Sequence, residues 1–394
     1  MSNALIIRDF KKSITSDIVE VSADVDGDRV FFRIPRQFEL DCRGEPFLGI
    51  ALLEAMVRNV DIRIEDSMPI SEKVYKMLPE LQAVYASWNS NLSKVNIHAR
   101  IEPCKDVYDP VACYWSGGVD SSHTLLRNMT EITHLIMLGG FEYKADNTPE
   151  SWRQLVKKQT VFARNIGKEL IPVETNAKRV TDQRKISWAM AQGLILASMG
   201  SLLKCKRIYI GSGNTYNHLI PWGTHPLTDP MWSTESTEII HYGAGFGKGE
   251  KMIDLCKNQN ILDNLQVCWR NPHRNCGECE KCVRTMTGLY LLEASSKTLP
   301  KLDNLNKLSI FRNSAGESGG ETLEALLALA KNVQNKEVQR IMRNHLRRYH
   351  MLQIIVMVDR FFLGGRFRQI YYRVENPSML SERVSRRGSQ PLDI

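Results

Sequence analysis

The chain has 394 residues, 43% of them hydrophobic and 24% charged, which suits two or three soluble domains with a sizeable core. The start, MSNALIIRDFKKS, lacks a charged leader followed by a long apolar run, and the late apolar stretch MLQIIVMVDRFFL is short and broken by Asp359, so no membrane span and a cytoplasmic location are expected. The formal net charge is +8, but from Lys336 onward twelve Lys/Arg stand against five Asp/Glu, so the body is near neutral and the end is basic.

In chain order, DIVEVSADV and RVFFRI flank Asp-Gly-Asp, a hairpin signal. PFLGIALLEAMVRNV has helical spacing, DIRIED is a strand, SEKVYKMLPELQAVYASW a helix and SKVNIHARIEP a strand. Residues 1–105 thus read as an N-terminal α+β accessory domain, bounded by Pro103 and the DVYDP stretch. From Val111 strand and helix alternate. VACYW, THLIML, ELIPVE and RIYIG are short uninterrupted apolar strands, and PESWRQLVKKQTVFARNIG and SWAMAQGLILASMGSLL are helices between them. Such strands belong to a parallel sheet covered on both faces, so residues 106–300 predict an α/β, Rossmann-like doubly wound domain. Residues 301–394 read as a C-terminal basic helical region carrying ESGGETLEALLALAKNV and KEVQRIMRNHLRRYHMLQIIVMVDRFFL.

The strand VACYW runs into Ser116, Gly117, Gly118, Val119, Asp120, Ser121 and Ser122, where a helix begins. In a doubly wound sheet ligands bind beyond the carboxyl ends of the strands. Glycines let bare backbone approach a phosphate, helix N–H groups favour the anion, and the serine hydroxyls add donors. Asp120 would repel a phosphate unless a cation bridged them, which points to Mg²⁺. The stretch is not a Walker P-loop, since no Gly-Lys-Ser/Thr follows. A chance turn at a strand end is the alternative. Gly139 and Gly140, after the second strand, would let an adenine lie against backbone, and Gly211 in GSGN ends a later strand on the same side. His123, in the helix's first turn, reads as a packing or surface residue.

Nine cysteines are present, four of them within fifteen residues at C-x7-C-x2-C-x2-C: Cys268, Cys276, Cys279 and Cys282. With no leader this pattern favours a metal site over a disulfide framework. Four thiolates close a tetrahedral shell with no open position, so a structural Zn²⁺ is expected; an iron–sulfur cluster would also accept four cysteines. His273 could substitute for a cysteine, but the set is complete without it.

SGGVDS resembles the PP-loop of the ATP pyrophosphatase superfamily, whose members cleave ATP between the α and β phosphates. With C-x7-C-G-x-C-x2-C downstream, the stretch from about Val111 to Thr298 is similar to the 7-cyano-7-deazaguanine synthase (QueC-like) group. The resemblance implies a HUP/PP-loop-type fold, adenylation of a small-molecule carboxylate, ATP and Mg²⁺ as cofactors, and a homodimer. It places Lys248, in GKGEKMIDL, near the phosphates, with a solvent-facing charge as the alternative. It makes Asp120, Lys248 and Asp229 the catalytic candidates and Ser116–Ser122 and Gly211 the ATP contacts, to which the strand-end geometry adds Gly139 and Gly140. Where the group carries a Tyr-Pro-Asp-Cys-Arg-like stretch, this chain has PWGTHPLTDPMWSTE; only Asp229 corresponds and the Cys-Arg is missing. The acceptor of the adenylated acid is therefore open among ammonia, an amine and a protein amino group. A tRNA-modifying enzyme that uses the basic end to hold RNA, and a non-catalytic ATP sensor or scaffold, are the other readings.

Overall fold

The structure, a computed structural model, describes residues 4–141, 149–271, 273–313 and 317–363. Strands β1 (Leu5–Ile14), β2 (Ile18–Val25) and β3 (Asp28–Pro35) form an antiparallel meander. The Asp26–Gly27 turn has φ values of +49° and +94°, the left-handed pair that suits a tight two-residue hairpin. β1 has no counterpart among the strands legible from sequence. Beyond Ile7 its side chains are almost all exposed, so no buried period marks it. Helix α1 (Glu45–Arg58), strand β4 (Ile62–Ile64) and helix α2 (Glu72–Trp88) follow. Ser71 caps α2 by accepting the Val74 N–H at 3.2 Å. The strand expected in SKVNIHARIEP shrinks to β5 (Ile97–His98), at the edge of the sheet.

The alternating region gives β6 (Val111–Tyr114), α3 (Val119–Arg127), β7 (His134–Gly139), α4 (Pro149–Asn165), β8 (Glu169–Thr175), α5 (Ala177–Gln183), α6 (Trp188–Met199), β9 (Arg207–Gly211) and β10 (Glu238–Tyr242). These strands lie in the order β10-β9-β6-β7-β8, all parallel. Chain order reverses at β6, as in a doubly wound Rossmann-like sheet. The N-terminal strands are part of the same sheet, because β3 pairs antiparallel with β8 at Phe32–Thr175 and Arg33–Glu174, making ten strands in all.

Alternation along β6 explains its unbroken apolar sequence. Ala112 and Tyr114 pack into the core shared with α1 and α6, while Val111, Cys113 and Trp115 pack into a second core with α3 and α4. Both faces are covered, so neither set of side chains can be polar. Helices α7 (Lys248–Leu255), α8 (Gln259–Leu262) and α9 (Glu280–Leu291) cover the second face. Helices α10 (Glu317–Asn332) and α11 (Lys336–Leu363) close a third core through Val283, Leu323, Val338 and Met342. Among the described residues no helix is long and apolar enough to cross a membrane. The basic residues beyond Leu363 lie outside the described residues.

Candidate functional site

The glycine turn leaves the sheet at β6, beside the point of chain reversal where an α/β sheet opens a crevice. Trp115 anchors its entry, donating Nε1–H to Gln159 Oε1 at 2.8 Å and stacking on Phe162. Gly117 has φ +73° and its carbonyl accepts the Gln266 N–H at 2.8 Å. The left-handed φ favours glycine, and a Cβ there would lie a tight 3.0 Å from the Gln266 Cβ. Ser116 and Ser121 bind each other across the turn, Oγ to Oγ at 3.2 Å, and Ser116 Oγ accepts the Gly118 N–H at 3.2 Å. Gly118 is the N-cap of α3, and no side chain caps that helix. The N–H groups of Val119, Asp120 and Ser121 therefore have no partner inside the helix. Ser122 Oγ is buried without a partner.

Asp120 is held from across the fold. Lys251, in α7 and 1% exposed, donates to Asp120 Oδ1 at 2.7 Å and to the Ser212 carbonyl at 2.6 Å. Desolvation opposes charge on Asp120, but Lys251, aided by Lys248 and Arg284, holds the carboxyl below its ordinary range. Gly211 explains how α3 and β9 approach so closely, since a Cβ there would lie 3.1 Å from the Asp120 carbonyl oxygen. Lys248 sits one helical turn from Lys251 and lines a narrow cavity with Asp120, Arg284 and Thr322. Its Nζ is 3.7 Å from Glu321, and burial, with Arg284 nearby, lowers its pKa.

Other candidates lie elsewhere. Asp229 pairs with His241 Nδ1 at 2.8 Å and accepts the His225 N–H at 3.1 Å. Burial raises its carboxyl pKa despite His241. Ile239 and His241 face one side of β10, whereas Ile240 and Tyr242 join the core that covers the other face. Asp229 thus belongs to a histidine cluster and makes no described hydrogen bond with the Asp120–Lys251 pair. Gly140, with φ +92°, fits against β8; a Cβ would lie 1.8 Å from the Thr175 carbonyl oxygen. Gly139 is buried at the end of β7. His123 is fully buried, with Nε2 3.3 Å from Asp254 Oδ2, and burial and Lys251 lower its pKa.

The four cysteines converge. The Sγ atoms of Cys268, Cys276, Cys279 and Cys282 all lie within 4.8 Å of one another, and the pairs Cys268–Cys279 and Cys276–Cys282 are each 3.9 Å apart. A tetrahedral Zn–S₄ centre with bonds of about 2.3 Å has S···S edges of about 3.8 Å, so the four thiols fit a metal such as zinc. Backbone N–H groups of Asn271, Glu278 and Cys279 donate to the sulfurs, which favours thiolates. A hydrogen bond from Cys282 lowers the pKa of the Cys279 thiol. Gly277, φ +73°, makes the knuckle, and a Cβ would sit 2.7 Å from Pro300. Asn275 fixes the strand of ligands by accepting the N–H groups of Val267 and Cys268 and donating to the carbonyls of Leu265 and Thr298.

Lys251, Arg284, Ser212 and Thr322 are site residues that the motifs do not reveal. Lys251 has a signal in hindsight, being three residues after Lys248 and so on the same helix face; Arg284 and Thr322 have none. Comparison of the chain with protein-family models, with curated proteins and with solved structures finds no match in any of the three.

Proposed function

We propose that the chain is a PP-loop ATP pyrophosphatase-type ligase, similar to the QueC-like group, that adenylates a heterocyclic carboxylic acid and passes it to an amine. The observation that carries this reading is the uncapped glycine turn at the sheet's reversal point, with Asp120 beside it and Lys251 locked to Asp120. An acid oxygen would attack the α-phosphorus while the bond to the β-phosphate bridging oxygen breaks, releasing pyrophosphate. The amine nitrogen then attacks the acyl carbon, AMP leaves, and the nitrogen loses a proton. The N–H groups of α3 would hold phosphate oxygens, and Lys248 would neutralise charge developing on the leaving group. Lys251 fixes the Asp120 carboxylate and keeps it ionised. Bound Mg²⁺, with Asp120 as its carboxylate, would supply the remaining charge neutralisation. The four-cysteine centre has no open position and is proposed as structural.

Incubation with ATP, Mg²⁺ and a panel of heterocyclic acids, with the products resolved, tests the reading. AMP and pyrophosphate are expected, and Asp120→Asn loses turnover while keeping its fold and metal. ADP and inorganic phosphate alone would contradict it. A tRNA acceptor is favoured by one feature: Arg340, Arg343, Arg347 and Arg348 are all exposed on α11. Binding to RNA would then weaken steeply with salt, and no binding at low salt would remove that acceptor.

A further inference from the structure

Cys282 and Arg284 are two residues apart in the opening of α9, and Cys279 is the N-cap of that helix. At 100° per residue, side chains two positions apart point to nearly opposite sides. Cys282 turns into the sulfur cluster, and Val283 between them joins the core with α10 and α11. Arg284 turns the other way, donating Nη1–H to Thr322 Oγ1 on α10 at 3.2 Å and lining the cavity that holds Asp120 and Lys248. Two cations, Lys248 and Arg284, line this cavity against one carboxylate, Asp120; Lys251 is bound to that carboxylate and Glu321 lies 3.7 Å from Lys248. The balance favours an anion. Arg284 presents its guanidinium as a planar donor fork that suits phosphate oxygens.

We propose that Arg284 binds the leaving diphosphate, and that the four-cysteine centre positions it by clamping the first turn of α9. The structural metal and the nucleotide site are then coupled through one side chain, and metal binding and diphosphate binding strengthen each other by the same factor. This inference rests on the nucleotide reading above and gives α10 a role in that site. Arg284 is too far from the glycine turn in sequence to belong to its motif.

Calorimetric titration of the full chain with inorganic pyrophosphate and Mg²⁺ tests it, in metal-loaded and metal-stripped protein. Loss of one charge-assisted contact is expected to weaken binding about 10- to 100-fold in Arg284→Ala, with cysteine-bound metal content unchanged. Arg284→Lys should fall between. Stripping the metal should weaken the wild type by a similar factor yet cost Arg284→Ala little more. Thr322→Val removes the guanidinium's partner without touching the metal or the turn; it should weaken binding several-fold, and it carries the test if the stripped chain unfolds. Equal affinity of Arg284→Ala and wild type, or of Thr322→Val and wild type where the stripped chain unfolds, overturns the proposal while leaving the nucleotide reading intact. An equal cost of stripping in both backgrounds does the same. A wild type that binds neither pyrophosphate nor ATP removes the nucleotide reading and this inference with it.

Discussion

Replacing Lys251 by methionine tests the pair that organises the site. The change keeps an unbranched stem, one atom shorter, and removes the charge, so packing is little altered. Lys251 is buried and donates to Asp120 and the Ser212 carbonyl. Stranding one member of a buried ion pair costs about 3–5 kcal/mol. Asp120 keeps 35% of its side-chain exposure and has Lys248 and Arg284 nearby, so screening reduces the cost to about 2–3 kcal/mol. At about 1 °C per kcal/mol for a chain of 394 residues, thermal unfolding followed by circular dichroism should shift down by about 2–4 °C. Asp120→Asn and the double variant complete a cycle, in which the double should be less destabilised than the sum by about 1–2 kcal/mol. A midpoint for Lys251→Met equal to wild type, or strict additivity in the cycle, would refute the pair. The acid limb gives a further check. Because Asp120 is lowered in the fold, its stabilisation is complete above its unfolded pKa and is lost as pH falls through the folded value. In Lys251→Met that acid-side loss should shrink.

Gly140→Ala would drive a Cβ onto the Thr175 carbonyl at a φ of +92°, costing about 2–5 kcal/mol from strain and overpacking together. Gly27→Ala, with nothing within 4 Å, should cost only about 1 kcal/mol; equal melting points for the two would refute the packing assigned to Gly140. His225 is held neutral, its pKa brought by burial and His241 from 6.5 down to about 4. Its Nδ1 accepts the Leu227 N–H at 3.1 Å. A depressed histidine contributes stability that is complete above about 6.5, erodes as pH falls, and is gone below the folded value. The melting temperature should therefore drop between pH 6.5 and 4, and His225→Asn should flatten that drop; an unchanged slope would contradict it. Elemental analysis of purified protein should find one zinc per chain, displaced in Cys279→Ser. A full metal complement in that variant would remove the four-cysteine assignment.

The strands of the parallel sheet were legible because burial on both faces leaves no charged residue in VACYW and confines the glutamates of ELIPVE to its two ends. β1 was not, since most of LIIRDFKKSI faces solvent, and β10 was not, since EIIHY holds a histidine that is buried through pairing with Asp229, outside the strand. The same contrast runs through the site. The turn and the cysteine cluster announce themselves because local backbone chemistry demands glycine or thiols at fixed spacing. The cations do not, because Lys251 reaches Asp120 across 131 residues of sequence, and only packing of α7 on α3 decides which lysine arrives. The continuous sheet was equally hidden, as the β3–β8 pairing involves just two residues on each strand.

The most direct measurement is a crystal structure with α,β-methylene-ATP and Mg²⁺ soaked into the site. Triphosphate oxygens should lie within hydrogen-bonding distance of the N–H groups of Val119, Asp120 and Ser121, with the β- and γ-phosphates toward Lys248. A turn left empty while the nucleotide binds elsewhere, or one filled by a side chain of the protein itself, would contradict it.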